Sequence, residues 1–188
     1  MPGPNDLRRL LEERKVLAAG QKSRRFLPNK SLEQILNRDA VRAALSDPSF
    51  GIPSHKWENT TQIVIAEARI VFAILLELRL EGNFHQFIEN EILDRQLPVD
   101  EKNLGDVLSF EGAREFTRRQ WEYLAYNFRK GLYRRKIRSE IILPYIEEKV
   151  IGGGSYSTVY EVLVHSAHQG FGRNTSANVR NKFYHTSR

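Results

Sequence analysis

The residues of this chain best suited to chemistry are the glycines of Ile151-Gly152-Gly153-Gly154-Ser155-Tyr156-Ser157-Thr158-Val159-Tyr160. With no Cβ in the way, Gly152 and Gly154 can bring backbone N–H groups close to an anion such as a phosphate. Three glycines before a strand also describe a plain hairpin turn, which needs no ligand. The order of residue types adds information: apolar Ile151, Gly152, one residue, Gly154, one residue, aromatic Tyr156, small Ser157, one residue, apolar Val159.

A second constellation is the basic run Arg129-Lys130-Gly131-Leu132-Tyr133-Arg134-Arg135-Lys136-Ile137-Arg138, with Arg118 and Arg119 upstream. Clustered cations attract phosphates, with an affinity that falls steeply in salt, and Tyr133 offers a ring on which a base can stack. The competing explanation is structural, because cations near a helix C-terminus answer its macrodipole. The five histidines form no i, i+4 pair, and His165 and His168 have no acidic residue nearby in sequence, so no metal site is expected. The adjacent acids Glu12-Glu13 and Glu147-Glu148 read as surface charge. Neither a serine elbow nor a Walker loop is present.

The elements that must position these residues are mostly helical. Leu7, Leu10, Leu11 and Leu17 follow Asn5 at roughly helical spacing and predict a loosely attached amphipathic helix, with a basic linker reaching residue 30. Ser31 and Gln34 stand in capping-box order before a second helix, broken near Asn37 and ending before Pro48. From Asn59 or Thr60 to about Leu80 the chain is apolar on nearly every side, which predicts one buried helix. Further apolar stripes follow at Phe84 to Leu93 and Leu104 to Leu108, and a last helix is predicted over about Glu111 to Phe128. From Leu143 the period changes. An extended approach to the glycine turn and the alternation of Thr158 to Val164 predict a hairpin, and the Gly/Asn/Ser-rich stretch after His165 predicts disorder.

The expected fold is therefore mainly α: a basic helix and linker over 1–30, a helical domain over 31–138, an incomplete β-hairpin over 139–165 and a disordered tail over 166–188. With 188 residues, a net charge of +6 and no cysteine, disulfides, thiolate zinc sites and cysteine nucleophiles are excluded. Charge is segregated, with eight Lys/Arg against three acids in 1–30, seven against fourteen in 31–113, and nine against two in 114–138. No signal-peptide-like run opens the sequence, and the longest apolar stretch, Ile63 to Leu80, holds four charges, so a cytoplasmic or nuclear protein without a membrane span is expected.

The glycine turn resembles that of the protein kinases, and the stretch from Leu143 to Gln169 is similar to multidomain protein-kinase-like proteins of filamentous fungi. Gln120-Trp121-Glu122-Tyr123-Leu124-Ala125 has a vaguer likeness. The resemblance implies the first hairpin of a kinase N-lobe of serine/threonine type, with ATP and magnesium as ligands. Ile151, Gly152, Gly154, Ser157 and Val159 would then be the nucleotide contacts: the glycines over the phosphates, Ile151 and Val159 against the adenine, Tyr156 at the loop tip. Ser157 stands where a third glycine is frequent. The family also requires a lysine in an apolar-Ala-apolar-Lys strand. Lys182 follows Asn178-Val179-Arg180-Asn181 instead and is not assigned. No catalytic-loop Asp, Asp-Phe-Gly or Ala-Pro-Glu segment occurs, so this chain, read as a truncated kinase-like protein, is expected to bind nucleotide weakly and to be inactive as a kinase. The alternative is a non-enzymatic helical interaction module that uses Arg129, Lys130, Arg134, Arg135, Lys136 and Arg138 on an acidic partner or nucleic acid. A protein partner fits the helical domain; under the kinase resemblance a nucleic-acid partner is not expected.

Overall fold

The computed structural model describes residues 2–129, 137–154, 157–170 and 179–185. It is mainly helical, with seven α-helices among the described residues and several short strands. The chain divides into two compact units: Met1–Arg14 with Lys30–Tyr123, and Lys15–Asn29 with Leu124–Arg188. Residues 15–29 and 124–138 thus fall in the second unit, apart from the helical segments in which the sequence reading placed them.

The first unit holds α1 (Pro4–Arg14), α2 (Ser31–Ile35), α3 (Arg38–Leu45), α4 (Trp57–Glu67), α5 (Arg69–Leu78), α6 (Phe84–Glu89) and α7 (Phe110–Arg119). Six consecutive residues of α5, Val71 to Leu76, are fully buried, as a helix apolar on all sides must be. Phe72 stacks on Phe50 and meets Phe84 edge-on, each with ring centroids 5.2 Å apart, and Phe87 lies 5.1 Å from Phe116. Each such ring contributes roughly 1.5–3 kcal/mol by leaving water. No helix among the described residues is long and apolar enough to cross a membrane.

Three expectations are corrected here. The single helix predicted to Leu80 is two helices, because Ala68 leaves helical geometry (φ −139°, ψ 23°). The break is held from a distance: the Asp94 carboxylate accepts the N–H groups of Ile70 and Val71 at 3.0 Å, capping α5. α1 is not loosely attached, since Leu7 and Leu11 are fully buried and Arg8 donates to the Leu76 carbonyl (2.6 Å) and pairs with the buried Glu81. The last helix stops at Arg119 and gives way to a 3-10 turn over Gln120–Glu122. As for the break near Asn37, that residue caps α3 by accepting the Ala40 N–H at 3.0 Å.

The second unit is built on strands. β1 (Val16–Leu17) and β2 (Arg25–Phe26) form a small antiparallel hairpin, and β3 (Phe128–Arg129) runs parallel to β6 (Gln169–Gly170). β4 (Tyr145–Gly154), β5 (Ser157–Val164) and β7 (Val179–His185) make an antiparallel sheet in the order β4-β5-β7. Successive side chains on β5 point to opposite faces. Val162 and Val164 are buried in a cluster with Phe128 and Tyr145, to which Ala19, Tyr126, Leu143 and Tyr160 add. The 166–188 segment, expected without structure, contributes a 3-10 turn over Ser166–His168 and then β6 and β7. Residues 171–178 and 186–188 lie outside the described residues. β7 forms despite its polar composition because β5 offers it a full register, from Val164↔Val179 to Thr158↔His185.

Candidate functional site

All five residues expected to contact a nucleotide fall in the β4–β5 hairpin. Gly154 pairs with Ser157, Gly153 with Thr158 and Gly152 with Val159, while Ile151 is the extra residue of a bulge between the Val150↔Tyr160 and Gly152↔Val159 pairs. A bulge locally re-aims the strand and its side chains. Both residues there are exposed, Val150 by 58% and Ile151 by 42%, although both are large and apolar.

Gly152 borders the bulge, a place where strands often carry glycine. Its φ lies outside the left-handed region, and a Cβ built on it meets nothing within 4 Å. Glycine inside a strand costs about 0.5–1 kcal/mol relative to alanine, and an alanine would fit here. Gly20 is the contrast. It has φ +72°, and a Cβ there would overlap the carboxylate of Glu148.

Strand alternation separates the two faces of the hairpin. Val159 shares its face with Glu161 and Leu163, whereas Tyr160, Val162 and Val164 are turned into the core cluster. Register also bears on Lys182, which pairs with Glu161, four residues beyond Ser157 and away from the turn.

Of the basic run, Arg129 on β3 and Arg138 are exposed. Lys130, Arg134, Arg135 and Lys136 lie outside the described residues. The sequence reading missed Arg24, which donates to the Ser139 carbonyl at 2.8 Å and to that of Glu140. It also missed Gln21, whose amide meets both backbone groups of Leu143. Neither carries a local signal, because the partners are more than a hundred residues away. His168 is buried, with its ring edge-on to Phe26 at 5.2 Å, and accepts the Asn29 N–H at Nε2 (3.3 Å). Burial first, and the neighbouring His165 second, push its pKa down to about 4.

The first unit holds the one group of acids with metal-like spacing among the described residues, the carboxylates of Glu12, Glu77 and Glu122, whose oxygens lie within 4.8 Å of one another. Arg119 sits among them, 3.1 Å from Glu12, 3.5 Å from Glu122 and 3.7 Å from Glu77. Burial works against the Arg119 charge, but Glu122, Glu77 and Glu12 outweigh it and hold its pKa above the ordinary value. The guanidinium takes the place a cation would take, and the cluster is an ion-pair network. Glu12 belongs to it, which corrects its reading as plain surface charge.

No protein-family model, curated protein or solved structure matches the chain.

Proposed function

We propose that the β4–β5 hairpin belongs to a protein-kinase-like lobe and covers the phosphates of ATP, and that the helical unit is an interaction module carried with it. One observation carries this proposal: Gly152 sits in a strand with open space where its side chain would be. Backbone N–H groups of residues 152–154 are the donors for the phosphates, and the exposed Ile151, with Val159 on the strand opposite, supplies apolar surface for the base. ATP would contribute the phosphoryl chemistry. Among the described residues of this unit no three metal-ligating side chains converge, so magnesium would arrive on the nucleotide.

Phosphoryl transfer by these residues is not part of the proposal. It depends on a lysine at the phosphates, a base and metal ligands, and Lys182 lacks the apolar-Ala-apolar context of the first. The test is an NMR titration of the full chain with MgATP. Saturable shifts confined to the amides of residues 150–160, lost in the Gly152→Val/Gly154→Val double variant, are expected, with no transfer of labelled phosphate to the chain or to casein. Shifts that are absent, or that survive the double change, overturn it.

The exposure of Arg129 and Arg138 at the two ends of the basic run favours a second reading, in which that run docks an acidic partner. Retention on heparin that falls steeply with salt and is lost when Arg134, Arg135 and Lys136 become Ala would support it. Retention indifferent to those changes would remove it.

A further inference from the structure

The glycine turn does not account for a cavity of about 610 Å³ in the second unit, which lies on the face of the sheet opposite Val159. We propose that this cavity is a separate binding site for a small organic anion, an apolar body carrying a sulfonate, phosphate or carboxylate. Its volume is that of ordinary ligand pockets, which span roughly 300–1,000 Å³. Tyr160 and Val162 of β5 form one wall, and Ile141 and Leu143 form another.

Two of the lining segments, residues 19–24 and 139–145, are tied to each other without a ligand. Gln21 Nε2 donates to the Leu143 carbonyl at 2.5 Å, and the Leu143 N–H donates to Gln21 Oε1 at 2.9 Å. The Ala19 N–H reaches the Tyr145 carbonyl at 2.8 Å, and Arg24 holds the carbonyl of Ser139. A cavity whose walls are already bonded does not spend binding energy on ordering them.

Charge selects the ligand. Arg24 and Arg138 both line the cavity, and Glu148, which packs on Gly20, is the one carboxylate in that lining, while the exposed Glu140 attracts both arginines from outside it. Burial depresses the pKa of Arg24, and the attraction of Glu140 offsets this only in part. An anion in the cavity would compensate the cation that burial disfavours. A lining that combines Ile141, Leu143, Tyr160 and Val162 with Arg24 and Arg138 fits a hydrophobic body with one acidic group.

Anilinonaphthalene sulfonate has this form and is the probe. Titrated into the full chain, it should show saturable fluorescence with one site. Ile141→Trp, which fills the cavity, should abolish the saturable signal, and Arg138→Glu, on an exposed residue, should weaken binding about tenfold, or about 1.4 kcal/mol. Gly152→Val/Gly154→Val should leave it unchanged, and MgATP should not displace the dye. Arg138→Glu keeps the test decisive if circular dichroism shows that Ile141→Trp fails to fold. Fluorescence that does not saturate, or that is indifferent to Arg138→Glu, overturns the proposal. So does dye displaced by MgATP and lost in the glycine variant, which would put the dye on the hairpin turn.

Discussion

The side-chain amide of Gln21 makes with the backbone of Leu143 the two hydrogen bonds that a neighbouring strand would make, Nε2 to the carbonyl at 2.5 Å and Oε1 from the N–H at 2.9 Å. A side chain thus replaces a ladder rung at a point where the residue following it in sequence turns away. Removing it leaves two part-buried backbone groups without these partners, each worth about 1 kcal/mol. Gln21→Ala should therefore speed hydrogen exchange at the Leu143 amide by at least tenfold. Gln21→Glu, which can accept but not donate, should fall between the two. Equal exchange in all three proteins would show that the amide contributes nothing.

Two glycines of one unit should respond oppositely to alanine. Gly152→Ala meets open space in a strand, so the second unit should keep or gain stability, by up to about 1 kcal/mol, while MgATP-induced shifts weaken. Gly20→Ala is strained at φ +72° and collides with Glu148, so it should lower the unfolding midpoint. Denaturant titration of both variants checks the contrast.

Asp94 caps α5 from outside the helix. Its carboxyl pKa is raised because burial outweighs the hydrogen bonds from Ile70, Val71 and Arg69. A carboxyl with a raised folded pKa favours the folded state most when protonated. Its contribution is thus fullest below the ordinary aspartate range and declines as pH rises through the folded pKa. Asn keeps an acceptor without the charge. Asp94→Asn should therefore gain on the parent protein as pH rises above the ordinary aspartate range, whereas Asp94→Ala loses the cap at every pH, about 0.5–2 kcal/mol.

His168 supplies the opposite pH dependence. Its folded pKa of about 4 lies below the ordinary value of 6.5, so its contribution is full above pH 6.5 and is lost as pH falls toward 4. The span amounts to about 3 kcal/mol. The second unit should lose its tyrosine near-ultraviolet signal in that window, and His168→Phe should flatten the transition. An imidazole that titrates near 6.5 by NMR would contradict this.

Arg119 stands against three carboxylates, with the Glu77 side chain only 2% exposed. Arg119→Met should destabilise the first unit by about 3–5 kcal/mol at pH 7, because it strands buried negative charge. The urea unfolding midpoints of the variant and the parent protein at pH 7 give the comparison.

The helices were legible wherever burial follows a local period. Val71 to Leu76 are apolar around the full turn and are buried around the full turn. Where one helix ends was not legible, because the group that breaks the chain at Ala68 is Asp94, 26 positions later in the sequence. The hairpin from Tyr145 to Val164 was visible in its alternation and its glycines. β7 was not, since Val179-Arg180-Asn181-Lys182 has no strand-like apolar pattern and takes its form from pairing with β5. The same holds for the candidate site: Gly152 announces itself by type, but the pairing of Lys182 with Glu161 had no local signal. Arg24 and Gln21, in a polar loop with distant partners, gave no local sign of the cavity.

The second unit takes its first fifteen residues, Lys15–Asn29, from a stretch of sequence that lies between Met1–Arg14 and Lys30–Tyr123 of the helical unit. On a ribosome, Phe26 is made about 140 residues before His168, the partner that packs on its ring. At about 5–20 residues per second this is roughly 7–28 seconds. During that interval the segment can close its own β1–β2 pairing, but one face of Phe26 waits for its partner while the helices that follow are synthesised.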